Sequence, residues 1–287
     1  MWNILALAAL GTTALVMGCC AAPESVPSPS AQQATTGPSE AERLPVATYQ
    51  CKHAVDEIKV DGLLDEQSWK QAEVVPIRCE RTNSKQCDPP AGFGRMCWDD
   101  KNFYIAIEVP DTDIRSEGTE RDKGNIAGLN DLIEVFLDIN GDDQNLYELH
   151  VTALNTFNDL WIIRPPEGTP LAQRTRWGII FMVGFNLEAY QTAVKVYGTL
   201  NNPADKDEKW VVEMALPYSS LMMPLGPDKE TPKPHPDPGE VWRVQLVVQN
   251  PTLGERYYVW SPAYSAWHHH GIKRYGRVTF VAPAAPK

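Results

Sequence analysis

Short segments in which apolar and polar residues alternate recur along the chain from about residue 49 onward. They are rich in Val, Ile, Tyr, Phe and Trp, and turn-forming residues separate them. A period of two is the pattern of β-strands with one buried face. The predicted strands are EIKVD, VVPIRCER, FGRMCW, NFYIAIEV, DLIEVFLD, LYELHVTAL, DLWIIR, GIIFMVGF, YQTAVKVYG, KWVVEMAL, VWRVQLVV, RYYVW and RVTF. So many short strands predict an all-β fold, an antiparallel β-sandwich of the jelly-roll or immunoglobulin-like kind.

Helical signals are few, so the predicted sandwich contains one or two short helices. Asp65 could cap a helix over EQSWKQA, and Pro217 could open one over YSSL. Two segments, from Pro110 to Leu129 and from Leu225 to Gly239, are predicted as long loops. The second contains too many prolines for regular structure.

The N-terminal residues predict export. Residues 1–19 hold the apolar run MWNILALAALGTTALVMG followed by cysteine, which is typical of a secretory signal. The run VMGC resembles the bacterial lipobox, so Cys19 would carry a lipid and hold the protein on a membrane of the cell envelope. A plain secreted signal with extracellular release and a membrane anchor are the alternatives.

The domain organisation follows from a change in composition after the signal. Residues 20–45 are rich in Pro, Ser and Ala and lack the apolar residues that offset the entropy of ordering. They predict a disordered tether. Residues 46–282 are predicted to form one β-sandwich.

Charge narrows the class of ligand. The chain has 287 residues, a formal net charge of -11 and a pI near 5.0. Nucleic acids need a basic footprint, so an acidic chain argues against them as partners. The balance fits a neutral polar ligand or a bound cation.

Export would place the remaining cysteines in an oxidising compartment. The disulfide candidates are Cys51, Cys79, Cys87 and Cys97. Four cysteines allow three pairings, and the sequence does not choose among them. Cys79 and Cys87 flank the polar loop ERTNSKQ, so a local bridge between them is a natural candidate. Four free thiols are the alternative.

Polar side chains share one face of several predicted strands. Their opposite faces are apolar, and the polar members are Glu134, Glu148, His150, Glu213, Arg243, Gln245 and Gln249. If these strands lie in one sheet, the sheet has a polar outer surface. A merely solvated sheet face is the alternative. Carboxylates, guanidinium groups and amides bind sugar hydroxyls, and indole rings stack on sugar C–H faces, so the pattern favours a carbohydrate ligand.

Six blocks occur in an order that resembles the family 9 carbohydrate-binding modules, within the wider DOMON-like sandwiches. The blocks are IKVDGLLDEQSWKQA, CWDDKNFYIAIEVPDTDI, NDLIEVFLDINGDDQNLYELHVTALNT, KWVVEMALPYSSL, GEVWRVQLVVQN and YYVWSPAYSAWHHHGIKRYGRVTF. The resemblance spans about Ile58 to Phe280. It implies a jelly roll that binds sugar in a cleft on one sheet, between two Trp rings assisted by a Glu, an Arg and amides.

The resemblance also implies site residues. The family's Glu falls on Glu134 and its late Trp on Trp267, while its amide positions fall on or near Gln245 and Gln249. Two positions depart from the family. The Arg of the following strand is replaced by His150, and the early Trp falls near Gly128, where no Trp is present.

The family often carries structural calcium, and the loop DINGDDQ has oxygen ligands suited to it. The candidate ligands are Asp138, Asn140 and Asp142. A tight Asn-Gly hairpin turn is the alternative. The separate run WHHH, residues 267–270, favours a polar loop over a metal site, because no carboxylate or thiol is close to it in sequence.

The predicted function is non-catalytic carbohydrate binding by an exported, lipid-anchored module, with Glu134, His150, Arg243, Gln245, Gln249 and Trp267 as ligand-binding residues. One alternative is a haem-binding electron carrier of the DOMON-like type, using Met and His ligands. A second is a glycoside hydrolase, which needs two carboxylates across a bond, from Glu134, Glu148 and Glu213. A third is a structural envelope domain without a ligand.

Overall fold

Fourteen strands form the framework of the part of the chain that the structure describes. The structure is a computed structural model, and it describes residues 39, 43–121, 130–166, 168–171, 179–182, 184–253, 256–265 and 271–283. The strands are β1 Thr48–His53, β2 Val75–Ile77, β3 Cys79–Glu80, β4 Gly92–Trp98, β5 Asn102–Pro110, β6 Leu132–Asp138, β7 Asn145–Thr152, β8 Phe157–Ile163, β9 Ile180–Met182, β10 Gln191–Tyr197, β11 Lys209–Pro217, β12 Val241–Gln249, β13 Tyr257–Val259 and β14 Gly276–Phe280.

The strands form two sheets that share β1. The A sheet has the order β1-β14-β12-β6-β7-β8-β9, with β13 and β3 attached through β12. The B sheet has the order β10-β11-β5-β4-β1, with β2 attached to β4. All pairings are antiparallel except those of β1, which runs parallel to both β14 and β4. The all-β sandwich is therefore confirmed, and the two parallel pairings of β1 are a feature that the alternating pattern did not reveal.

The apolar faces of the two sheets pack against each other and form the main core. Ile133, Val135 and Leu137 of β6 face this core, as the alternation predicted. Trp98, Trp210 and Trp242 are almost wholly buried in it or at its border. Removing this apolar surface from water is the main favourable contribution to folding.

A short helix covers the outer face of the B sheet. Helix α1, Gln67–Gln71, buries Trp69 against a cluster that includes Ile58 and Tyr104. The predicted cap by Asp65 is wrong. The carboxylate of Asp56 instead accepts bonds from the backbone N–H groups of residues 67 and 68, at 2.7 and 3.0 Å.

The secondary structure differs from the prediction in two segments. The segment EIKVD is not a strand, because it crosses the outer face of the B sheet next to α1. The segment TYQCKH, which was not predicted, forms β1. By contrast, the helix predicted after Pro217 is present as a 3-10 helix at Tyr218–Ser220, and a second 3-10 helix spans Ile272–Arg274.

A buried carboxylate ties the helical cover to the B sheet. Glu213 of β11 accepts hydrogen bonds from Trp69 Nε1 at 2.8 Å, from Gly62 N at 2.9 Å and from Asp61 N at 3.1 Å. Its side chain is fully buried, and this burial raises its pKa to about 7 in spite of the three donors. Glu213 therefore anchors a loop and is not part of a polar outer face shared with β6 and β7.

The four cysteines in the described sandwich are free thiols, so the expected disulfides are absent from the structure. Cys51 faces the main core, whereas Cys97 faces the cluster under α1 on the other side of the B sheet. Cys79 and Cys87 also point apart. Cys79 belongs to an apolar cluster on the outer face of the A sheet, and Cys87 packs against the main core. Side chains on opposite faces cannot reach the short Cβ separation that a bridge requires.

Residues 1–19 and most of the predicted tether lie outside the described residues, so the domain boundaries stay a prediction. Within the described ranges, no helix has both the length and the apolar character needed to cross a bilayer.

The anchor at Glu213 predicts a pH-dependent contribution to stability. Because its pKa in the folded protein lies above the ordinary value of 4.5, the contribution is complete below about 4.5 and is lost as the pH rises through about 7. The loss amounts to about 3 kcal/mol at most. In urea unfolding across this range, Glu213→Gln is expected to flatten the decline in the free energy of unfolding. The exposed control Glu57→Gln should keep the wild-type slope, and equal slopes in both variants would contradict the assignment.

Candidate functional site

A row of side chains crosses four strands on the outer face of the A sheet. Glu134 of β6 pairs with His150 of β7 on one side and with Val247 of β12 on the other. His150 in turn pairs with Asn158 of β8. Directly opposed residues in antiparallel strands share a face, so this row places a carboxylate, an imidazole and an amide side by side. The structure thus brings together Glu134 and His150, as the sequence predicted.

His150 is held by hydrogen bonds on both ring nitrogens. In the neutral ring, Nδ1 accepts from the Asn158 amide at 3.1 Å and the Nε2–H donates to Glu148 at 2.9 Å. Burial lowers the pKa of His150, but the hydrogen bond and charge of Glu148, together with the charge of Glu134, raise it above its ordinary value overall. The imidazole therefore carries a positive charge more readily than an exposed histidine does.

Glu134 lies beneath the other polar groups of this face. Only 4% of its surface is exposed, and burial raises its pKa to about 7. The charges of His150, Arg81 and Arg256 oppose this shift, and the charge of Glu148 adds to it. Near neutral pH the carboxyl group is thus close to its titration midpoint, where it can either accept or donate a hydrogen bond.

Partly exposed groups flank this row on the β13 side. Tyr257 pairs with Gln249 at the end of β12, and the guanidinium group of Arg81 lies 4.2 Å from the centre of the Tyr257 ring. Arg256 approaches the same ring at 5.6 Å. Sequence reasoning did not select these three residues or Asn158. Cross-strand register alone could have found Asn158, because it requires only the pairing of β7 with β8.

The outer face of the A sheet is not uniformly polar, which corrects the expectation of a polar surface. Phe136 and Val247 belong to an apolar cluster that covers part of this face. The segment before β14 supplies Ile272 and Tyr275 to it, and the Tyr275 ring lies 5.9 Å from that of Phe136. The polar row therefore lies at the border of a small second core.

Gln245 and Gln249 are on the expected face but have structural partners. Gln245 is fully buried, and its amide group binds Ser261 twice, donating to the carbonyl at 2.7 Å and accepting from the N–H at 2.9 Å. Gln249, also fully buried, donates to the carbonyl of Asn130 at 2.7 Å. These amides fix neighbouring loops around the row, since their groups are engaged by backbone.

Arg243 is away from the row. It pairs with Asp138 in the register of β12 and β6, four residues from Glu134 and thus about 13 Å away along the strand. Its guanidinium group forms ion pairs with Asp138, at 3.2 Å, and with Asp143. Arg243 therefore stabilises the β6–β7 turn, in contrast to its predicted role in ligand binding.

The same turn contains the predicted calcium ligands. Asp138 accepts bonds from Gly141 N at 2.8 Å and from Asp143 N at 3.4 Å, while Asp142 accepts from the N–H groups of residues 144 and 145. Asn140 donates to Asp142 at 2.9 Å. These bonds match the hairpin-turn alternative. No group of three His, Cys, Asp or Glu residues spaced for a metal ion occurs among the described residues, and calcium at this loop stays a prediction.

Several predicted residues lie elsewhere. Trp267 and the three histidines that follow it are outside the described residues, as are Cys19 and the position near Gly128. Glu213, proposed as a catalytic alternative, is in the B sheet. Of the methionines suggested as haem ligands, Met96 and Met214 are completely buried in the core.

The row of Glu134, His150 and Asn158 lies in a segment that matches a known protein family. Residues 60–159 match the family model described as carbohydrate family 9 binding domain-like. Over that segment the chain is similar to the family 9 carbohydrate-binding modules. The matched range includes Glu134, Glu148, His150 and Asn158. No curated protein matches the sequence significantly.

Solved structures provide a second comparison. A candidate carbohydrate-binding protein from Bacteroides uniformis is 14% identical, with a TM-score of 0.53, and the match covers 82% of this chain and 99% of that one. At this identity the likeness establishes the sandwich fold. Two structures described as a family 9 carbohydrate-binding module from Caldicellulosiruptor kristjanssonii, in complex with cellotriose and with glucose, are also 14% identical, with TM-scores of 0.49 and 0.48. Each match covers 83% of this chain, and 95% and 98% of theirs.

The network around His150 predicts how its ionisation responds to mutation. Glu148→Gln removes the charge that raises the pKa of His150, so we expect this pKa to fall, as measured by the pH titration of its ring resonances in NMR. Glu108→Gln, which breaks an ion pair with Lys209 on the B sheet, serves as the control and should leave His150 unchanged. A His150 titration midpoint that is the same in both variants would contradict the proposed network.

Proposed function

We propose that the chain is a non-catalytic carbohydrate-binding module, with the row of Glu134, His150 and Asn158 at the centre of its binding surface. The observation that carries this proposal is the position of the row. It lies in the segment that matches the carbohydrate family 9 model, on one face of one sheet.

The chemistry of the row suits a sugar. Hydroxyl groups both donate and accept hydrogen bonds, and the row offers carboxylate acceptors and an amide that does both. Glu148 and Asn158 are partly exposed above the buried Glu134, so ligand hydroxyls would meet them first. Arg256 and Tyr257 add guanidinium donors and an aromatic ring at the border of the row.

Trp267 is proposed as the stacking residue. The described residues on both sides of Trp267 lie near the Glu134 row. Ser265 N donates to the carbonyl of Arg81 at 3.2 Å, and Ile272 packs in the apolar cluster on the outer face of the A sheet. An indole supplies the apolar contact that the C–H face of a sugar requires. Trp267 would thus complete a site whose polar half is formed by β6, β7 and β8.

Binding tests should start from a broad array of neutral glycans and continue with calorimetry, using glucose and cellotriose as first probes. Glu134→Ala and Trp267→Ala are each expected to weaken binding at least about tenfold, because each removes a central contact. Glu57→Gln is the control, and thermal unfolding should show that each variant remains folded. Absence of binding across the array, or undiminished binding by both folded variants, would contradict the proposal.

We also propose that the module is exported and anchored through a lipid on Cys19. The support is the apolar run that precedes this cysteine and the Pro- and Ser-rich segment that follows it. Metabolic labelling with a radioactive fatty acid in a bacterial host should label the wild-type chain and not Cys19→Ser. Equal labelling of both, or no labelling of either, would contradict lipidation at this residue.

A further inference from the structure

A pocket separate from the Glu134 row lies at one end of the sandwich. It has a volume of about 490 Å³ and is bounded by the segment after β5, the turn after β10 and the turn after β12. This volume falls within the range of about 300–1,000 Å³ typical of small-molecule sites. Pro203 and Pro251 contribute apolar rings to the wall, and the remaining lining is polar.

Two fully buried polar residues in this wall have unused hydrogen-bonding atoms. Asp131 Oδ2 accepts from Arg115 N at 2.7 Å, whereas Asp131 Oδ1 accepts no hydrogen bond from an N–H or hydroxyl donor among the described residues and can bond the carboxyl group of Asp111 only through a shared proton. The hydroxyl of Ser116 also lacks a partner there. Asn201 holds Ser116 in place by bonding its backbone N–H and carbonyl at 2.8 and 2.7 Å. Buried polar atoms without partners are rare in native proteins, so each of them calls for an explanation.

The surroundings of Asp131 carry an excess of negative charge. Asp111 lies beside it, and two carboxylates can bond each other only when one holds a proton. Burial and the charge of Asp111 raise the pKa of Asp131 to about 8. Glu117 also lines the pocket, and the guanidinium group of Arg115 is paired with Asp113. When no ligand is bound, the shared proton relieves the repulsion between the two carboxylates. A positively charged ligand would relieve it instead.

We propose that this pocket binds an amino sugar, with the ammonium group directed to Asp131 and Ser116 and the sugar ring against the proline wall. An ammonium group donates three hydrogen bonds, which suits a site whose unused atoms are oxygens. A metal ion fits this pocket less well than an ammonium group, because the described residues hold no group of three His, Cys, Asp or Glu with suitable spacing. The volume also exceeds what a single ion would fill.

Calorimetry on the full chain tests the proposal with three sugars that differ in the substituent at one position of the sugar ring. Glucosamine carries an ammonium group, whereas N-acetylglucosamine and glucose are neutral there. Near neutral pH, glucosamine is expected to bind at least about tenfold more tightly than either neutral sugar. Equal binding of all three sugars, or none of glucosamine, would overturn the proposal. Binding of calcium chloride that excludes glucosamine would also overturn it, in favour of an ion site.

Variants assign the binding to this pocket. Asp131→Asn keeps the shape of the side chain and removes its charge, so glucosamine binding should weaken at least about tenfold. Ser116→Ala, a milder change that guards against misfolding of the first variant, should weaken it several-fold. Glu57→Gln removes one exposed negative charge as the matched control. Undiminished glucosamine binding in both pocket variants would refute the assignment.

One further variant separates this pocket from the proposed carbohydrate surface. Glu134→Ala should weaken the binding of neutral sugars at least about tenfold and retain that of glucosamine. Loss of both by Glu134→Ala would show that glucosamine uses the Glu134 surface and would overturn the second site. If the wild-type chain binds glucosamine but no neutral sugar, the result contradicts the proposed function and still supports the amino-sugar pocket.

Discussion

The fold depends on the division of β1 between two sheets. Residues 48–51 pair with β14, and the next two residues pair with β4. One strand thus fixes the position of both sheets, and the main core forms between their apolar faces. Since β14 also pairs with β12, and β12 with β6, the polar row of Glu134 is positioned by the same chain of hydrogen bonds.

Three of the buried carboxylates show how the partners of a carboxyl group determine its role. Glu213 receives three hydrogen bonds and connects a loop and a helix to the B sheet. Glu134 lies among charged neighbours under a partly exposed surface, which suits ligand recognition. Asp131 shares its surroundings with Asp111 beside a pocket. Burial raises the pKa in every case, so the partners, and not the shift itself, distinguish a structural carboxylate from one that can bind a ligand.

The candidate site was predictable in part. The alternation in DLIEVFLD and LYELHVTAL placed Glu134 and His150 on outward faces, and the pairing of β6 with β7 makes them neighbours. The same alternation selected Gln245 and Arg243, because it reports which face a residue occupies but not what covers that face. Ser261 and Asp138 engage these two side chains, and neither contact is visible from local spacing.

By itself, the sequence determined the all-β class, most of the strands and the direction in which their side chains point, because these follow from a local period of two. Only the tertiary structure decided which strands share a sheet, since Glu213 and Glu134 have the same local pattern but lie in different sheets. It also decided that the cysteines remain apart and that Arg81, Asn158 and Tyr257 border the row. These outcomes depend on contacts between residues far apart in the chain, and such contacts are set by the packing of the whole sandwich and not by any local pattern.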